Sequence, residues 1–188
     1  MTEYKIAEGK EVRVAISGKS GCGNTTVSSL LAERLKIKLI NFTFRQLAEE
    51  KGMTLSEVIL SARNDDSYDR EVDTRQVALA KKESCVLGSR LAIWMLDNAD
   101  LKVYLLADED LRARRIHNRE GGDLKNIKDF TLMRDGEDSA RYKKLYGIDN
   151  TKYDDAAELV IDTGSMTPEQ ISDKILTALE EKGLIEKA

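Results

Sequence analysis

The residues best suited to chemistry lie in one short run, Gly18-Lys19-Ser20-Gly21-Cys22-Gly23-Asn24-Thr25-Thr26. The apolar run Val12-Arg13-Val14-Ala15-Ile16-Ser17 leads into it, and an amphipathic helical pattern, Thr26 to Lys36, leads out. Strand, glycine-rich turn and helix is the setting of a phosphate-binding loop. Glycines let successive N–H groups point at one anion, and the helix N-terminus behind them adds roughly half a positive charge. Gly18, Gly23 and Thr25 fit the spacing G-x-x-x-x-G-K-[ST], with Thr25 as the Mg²⁺ ligand through its hydroxyl. The lysine of that pattern is replaced by Asn24. Lys19, on the other side of the loop, is the candidate for the missing cation.

Arginines form the second constellation. Arg112, Arg115 and Arg119 share a helical face, and beyond Gly121-Gly122 a second stripe carries Arg134, Asp138 and Arg141. Either stripe is compatible with a solvated helix laced with ion pairs. The functional alternative is an arginine-bearing segment that closes over phosphates, where guanidinium groups bind oxygens in pairs and stabilise charge during transfer. Arg45 and Arg90 follow two further apolar runs and suit an acceptor's phosphate. Asp69, Arg70 and Asp73 read as a surface ion-pairing face. Cys22 reads as a small residue inside the loop rather than a redox thiol, although a helix N-terminus would lower its pKa.

These residues need a scaffold. Five apolar runs read as strands: Val12 to Ser17, Ile37 to Ile40, Cys85 to Leu87, Lys102 to Ala107 and Leu159 to Ile161. Helical patterns separate them, so the expected fold is α/β, three layers around a five-stranded parallel sheet. Ligands in such folds sit at the carboxyl ends of strands. The glycine loop, Arg45 and Arg90 all fall there. Thr54 to Glu57 and Thr167 to Gln170 are capping-box signatures, and Pro168 suits a first helical position. Met1 to Lys10 reads as a polar arm, and Phe130 to Tyr146 as a long charged helix.

Composition narrows the function classes. With 41% hydrophobic and 34% charged residues, the 188-residue chain reads as one globular domain. A net charge of -4 argues against broad nucleic-acid affinity. Two cysteines and one histidine, His117, leave no disulfide framework or four-ligand zinc site, and little scope for Ser-His-Asp or Cys-His catalysis. No apolar run approaches the ~20 residues of a membrane span, and Met1 to Lys10 lacks a signal-peptide core. A cytoplasmic monomer with no membrane or nucleic-acid partner is expected.

Several longer stretches carry a family resemblance. They are Ile16-Ser17-Gly18 with the loop, Phe44-Arg45-Gln46-Leu47-Ala48, Asp69-Arg70-Glu71-Val72-Asp73 and Ser89-Arg90-Leu91-Ala92-Ile93-Trp94-Met95-Leu96. Asp138-Ser139-Ala140-Arg141-Tyr142 and Tyr146-Gly147-Ile148-Asp149 complete the set. From about Val12 to Ile175 the chain resembles the cytidylate kinases, the short type typified by archaeal enzymes, among the nucleoside monophosphate kinases. The resemblance implies a P-loop kinase-like fold as a single domain over 1–188, with acceptor-binding helices about 42–82 and a helical lid about 115–135. It implies transfer of the ATP γ-phosphate to CMP or dCMP with Mg²⁺. By position, Arg45, Arg90, Asp138 and Arg141 would hold the acceptor, and Arg134 with Arg115 or Arg119 would surround the transferring group. The loop Thr163-Gly164-Ser165 would lie near adenine. Asn24, Gly88-Ser89 and Asn41 depart from the family pattern. A kinase for another monophosphate or a small metabolite, or a nucleotide-binding regulator without turnover, stays open at this point.

Overall fold

The computed structural model describes residues 3–188; Met1 and Thr2 lie outside the described residues. The chain runs β1 (Tyr4–Ile6), β2 (Arg13–Gly18), α1 (Asn24–Leu35), β3 (Lys38–Ile40), α2 (Phe44–Lys51), α3 (Leu55–Ala62) and α4 (Ser67–Ala80). It continues with β4 (Cys85–Gly88), α5 (Ala92–Met95), β5 (Leu101–Leu106), α6 (Glu109–Glu120), α7 (Leu124–Tyr146), a short 3-10 turn at Tyr153–Asp155, β6 (Leu159–Asp162), α8 (Pro168–Glu181) and β7 (Ile185–Lys187). Strands β3, β4, β2, β5 and β6 form one parallel sheet in that order. All five expected strands are in it, with β2 at the centre.

Strand alternation sends successive β2 side chains to opposite faces. Val14 and Ile16 pack with Val27 and Leu31 of α1 and Ile175 and Leu179 of α8. Ala15 faces the other way, with Leu87, Tyr104, Ile93 and Leu96. Helices therefore cover both faces, as a parallel sheet requires. Helices α2, α3 and α4 keep an apolar cluster of their own, around Phe42, Leu47, Ala48, Val58 and Val72. The capping boxes form as the spacing predicts, at Thr54 with Glu57 and at Thr167 with Gln170.

Two expectations are corrected. The polar arm contains β1, which pairs antiparallel with β7, Tyr4 opposite Lys187 and Ile6 opposite Ile185. Its partner lies at the far end of the chain, so three residues of local pattern cannot reveal it. The last charged helix begins at Leu124 rather than Phe130, because Asp123 caps it by accepting from the Asn126 N–H at 2.8 Å. The break is confined to residues 121–123, where Gly121 and Gly122 take φ of 72° and 99°.

Helix α1 approaches the sheet closely over β4. A Cβ on Gly88 would stand 2.5 Å from the Ser28 Oγ and 2.9 Å from its Cβ. Ser28 is buried and cannot swing away. Gly88→Ala is therefore expected to destabilise the fold by roughly 1–3 kcal/mol. Urea unfolding of the two proteins side by side checks this.

Candidate functional site

The strand ends converge on one cleft of about 780 Å³. Its floor is the whole loop from Gly18 to Thr26, followed by the first turn of α1. Gly21 and Gly23 take φ of 83° and 102°, which turns the loop back over the helix end. Gly23 caps α1 without a side-chain hydrogen bond, and no acidic residue occupies the first turn. The first N–H groups of α1 therefore face the cleft with no side-chain cap, and an anion completes them.

Asn24 has a structural role that the motif comparison does not suggest. Its Nδ2 donates to the Gly18 carbonyl at 2.7 Å, spanning the loop from within, while its Oδ1 is buried without a partner. A Cβ on Gly18 would stand 2.6 Å from that Oδ1 and 2.7 Å from the Leu105 carbonyl oxygen. The loop is thus braced by a neutral amide. Cys22 is 2% exposed, and burial raises its pKa, outweighing the nearby arginines. Burial also outweighs any lowering by the helix N-terminus, and Cys22 is a small buried residue of the loop rather than a reactive thiol.

The arginine stripe on α6 splits into three tasks. Arg112 is 2% exposed and donates two N–H groups to Asp135 Oδ2, at 2.8 and 2.7 Å. It is a buried brace, not a lid cation. Gly21 packs on the Arg112 backbone, with the carbonyl oxygen 2.9 Å from where a Cβ would stand. Arg115 donates to the Thr163 hydroxyl and carbonyl, both at 2.8 Å, and to the Gly21 carbonyl at 3.3 Å. Thr163 is fully buried, its hydroxyl 3.2 Å from the Cys22 carbonyl. Arg119 lines the cleft and pairs with Glu120. Lys19 is partly exposed, with Nζ 3.7 Å from Asp135.

On the far side, Arg45 lines the cleft, is exposed, and has no ion-pair partner among the described residues. Arg90 also lines it, positioned through Ser17: the Ser17 Oγ donates to the Ser89 carbonyl at 2.8 Å and accepts from the Ile93 N–H at 3.1 Å. Behind Arg90 lies Asp138, 6% exposed. Asp138 accepts from Arg90 and, at 2.8 Å, from Arg141, whose Nε lies 3.3 Å from Asp69. Asp138 and Arg141 are not among the residues lining the main cleft; Asp138 and Lys19 border a small side recess with Asp135 and Asn150. Arg134 also stands outside the cleft, exposed, its guanidinium 5.9 Å from the centre of the Phe130 ring.

The reading of Asp69 and Asp73 as a surface ion-pairing face is corrected. Both line the cleft, and only Arg70 turns outward, over the Tyr146 ring. Periodicity placed them on one face but could not say which neighbour covers that face. Other lining residues carry no local signal: Phe42, Leu55 and Val72 wall one end, and Met166, Pro168 and Ile171 the other. Gly164 and Ser165 do not line it. No group of three or more His, Cys, Asp or Glu residues able to hold a metal occurs among the described residues.

A cleft with anion-binding floor, cations at both ends and an apolar wall at each is suited to two phosphorylated ligands meeting over the loop. Comparison with known proteins agrees. The model of the cytidylate kinase-like family matches residues 13–165. The chain belongs to the cytidylate kinase-like family. It is 41% identical to the cytidylate kinase 2 of Borreliella afzelii over 176 residues, which is 92% of this chain and 99% of that one. To the cytidylate kinase of Archaeoglobus fulgidus it is 40% identical, over 91% of this chain and 96% of the other. Among solved structures, shikimate kinase from Acinetobacter baumannii superposes with a TM-score of 0.64 at 19% identity, covering 93% of this chain and 96% of that chain. That likeness shows the fold alone, which is the P-loop kinase-like α/β fold. As a member of its family the chain is a nucleotide kinase, a transferase. Among the described residues no helix is long and apolar enough to cross a membrane.

Asp138 holds two guanidinium groups at once. Asp138→Ala leaves both without their shared carboxylate and is expected to lower stability by roughly 3 kcal/mol. Asp138→Asn, which keeps one acceptor oxygen, is expected to cost less. Thermal or urea denaturation of the two variants checks the order.

Proposed function

We propose that the chain transfers the γ-phosphoryl group of ATP to CMP or dCMP. The observation that carries this reading is the two-ended cleft, with Arg45 and Arg90 on one side of the loop and Arg115 and Arg119 on the other. A protein that only senses a nucleotide needs one such end. The names of its relatives support cytidylate as the acceptor.

An acceptor phosphate oxygen attacks the γ-phosphorus in line, and ADP leaves from the opposite side. The protein supplies position and charge rather than a covalent intermediate. Loop N–H groups hold the donor phosphates. Arg115, already fixed on Thr163, sits where it can meet negative charge at the loop. Arg45, exposed and unpaired among the described residues, is free to take the acceptor phosphate. Arg134, exposed and outside the cleft, would join this scheme by swinging its own side chain inward, since the Arg112–Asp135 pair holds α7 in place.

Lys19 is the residue we assign to the charge that Asn24 cannot provide. Its ion pair with Asp135 is long, at 3.7 Å, and partly in water, so it holds the lysine weakly. Thr25 is exposed at the first turn of α1 and lines the cleft, offering one hard oxygen donor. That fits Mg²⁺, which keeps several waters and takes its remaining ligands from phosphates. The ion would neutralise phosphate charge during transfer.

Coupled ADP release with ATP and Mg²⁺, measured across CMP, dCMP, UMP, AMP and GMP, tests the reading. Turnover highest with CMP or dCMP is expected. Protein that binds nucleotide yet releases no ADP with any acceptor would overturn it. In the same assay Lys19→Ala is expected to lower kcat by roughly 100-fold, the scale of one lost transition-state donor. An unchanged kcat would remove Lys19 from the mechanism. Arg141→Ala is expected to raise the KM for the monophosphate more than that for ATP, because Arg141 supports Arg90 through Asp138.

A further inference from the structure

Helix α4 presents Asp69, Asp73 and Gln76 on one face, and all three line the acceptor end of the cleft. Asp69 is paired with Arg141. The other two have capacity to spare. Gln76 is 5% exposed, and its Oε1 is buried with no hydrogen-bond partner. A buried amide in that condition costs free energy unless a ligand completes it. Asp73 accepts from the Tyr146 hydroxyl at 2.8 Å through Oδ2, which leaves Oδ1 without a side-chain partner among the described residues. Phe42, Val72 and Leu91 supply apolar surface beside them. Arg45 and Arg90 lie at the same end of the cleft. The site is therefore apolar on its walls, with a carboxylate and an amide together on one edge.

We propose that Asp73 and Gln76 read the base of the acceptor, and that they select a base with an exocyclic amine beside an unprotonated ring nitrogen. This rests on the kinase reading above and extends it to a pair of specificity-determining residues.

The discrimination follows from donors and acceptors. Cytosine presents an N4 amine, a donor, next to N3, an acceptor. A glutamine amide can accept from one amine hydrogen and donate to the ring nitrogen. The second amine hydrogen then meets the Asp73 carboxylate. Uracil presents O4 and N3–H instead. The amide can turn over to match uracil, so Gln76 alone discriminates weakly. Asp73 cannot: an ionised carboxylate facing O4 sets two acceptors against each other. A site built to accept a hydrogen bond rejects the analogue that cannot donate one.

The same carboxylate makes the selectivity depend on pH. Burial, with a smaller push from Asp69, raises the Asp73 carboxyl to about 6 against the pull of the Tyr146 hydroxyl and Arg141. Those groups, with Tyr142, are the ionisable neighbours that α4 and α7 turn toward it. Above that value Asp73 is charged and accepts from the amine. Below it the neutral acid donates, and O4 of uracil becomes an acceptable partner. Preference for cytosine over uracil is thus present at pH 8 and declines as pH falls through about 6.

Adenine shares the amine-and-ring-nitrogen edge with cytosine, so the test must separate the two. Calorimetric titration of CMP, UMP, AMP and ATP into the wild-type protein, Asp73→Asn and Gln76→Leu, at pH 8 and pH 5.5, does so without requiring turnover. Wild type is expected to bind CMP more tightly than UMP at pH 8, with the ratio shrinking at pH 5.5. Asp73→Asn, whose amide can donate to O4, is expected to shrink the pH 8 ratio by roughly 10- to 100-fold and to abolish its pH dependence. Gln76→Leu is expected to weaken CMP binding while leaving ATP affinity unchanged. A folded Asp73→Asn protein with the wild-type CMP-to-UMP ratio at both pH values would overturn the proposal. AMP binding as tightly as CMP, and equally sensitive to Asp73→Asn, would overturn cytosine as the selected base. If Asp73→Asn does not fold, Tyr146→Phe serves: it frees the carboxylate without removing it, and an unchanged pH dependence of the ratio counts against the proposal. Selective binding without ADP release would defeat the kinase reading alone, and ADP release without selectivity would defeat this one alone.

Discussion

A guanidinium taken out of water must bring its counter-charge with it, and the loop's surroundings depend on one such pair. Arg112 is almost wholly buried, and Asp135 receives two of its N–H groups. The pair joins α6 to α7. Gly21 rests directly on the Arg112 backbone, so the curve of the phosphate loop is set against the same helix. Lys19 reaches the same carboxylate from the loop side. Leaving either partner of such a pair alone in the interior is costly. The arrangement therefore fixes loop, α6 and α7 relative to one another before any ligand arrives. That is what preorganised charge requires.

A second carboxylate repeats the device on the acceptor side. Asp138 holds Arg90 and Arg141 together, and Arg141 extends the chain to Asp69 on α4. Arg90, which lines the cleft, is thus backed by a carboxylate that does not. This division explains why a stripe of alternating charges on α7 looks like surface ion pairing when read linearly. One face of the stripe is structural, and its effect on ligand passes through Arg90.

The sheet and the loop were legible in the sequence because each signal is local. Five apolar runs separated by helical periodicity imply a parallel sheet, and glycine spacing between a strand and a helix implies the loop. Arg45 and Arg90 follow from their position after two of those strands. What was not legible depends on partners distant in the chain. Strand β1 needs β7. Asp73 looks like any helical aspartate until Tyr146 and the cleft are seen around it. Arg112 and Arg119 have the same residue type and face, yet one is buried and the other exposed, a difference set by where α7 lands. Asn24 reads as a defect when compared with a motif and as a brace once its amide is seen bonded to Gly18.

The central position of β2 has a consequence for how the molecule comes into being. Its neighbours are β4 and β5, so every ladder hydrogen bond it makes joins residues far apart in the chain. Such pairings close long loops before they return any stabilisation, and they form slowly. The phosphate loop follows β2 directly and is synthesised before β4 and β5. Yet the strand that carries it has no partner until β4 and β5 have emerged. During synthesis that early apolar strand waits with both edges open. It is the segment of this protein that most needs protection from association with other chains.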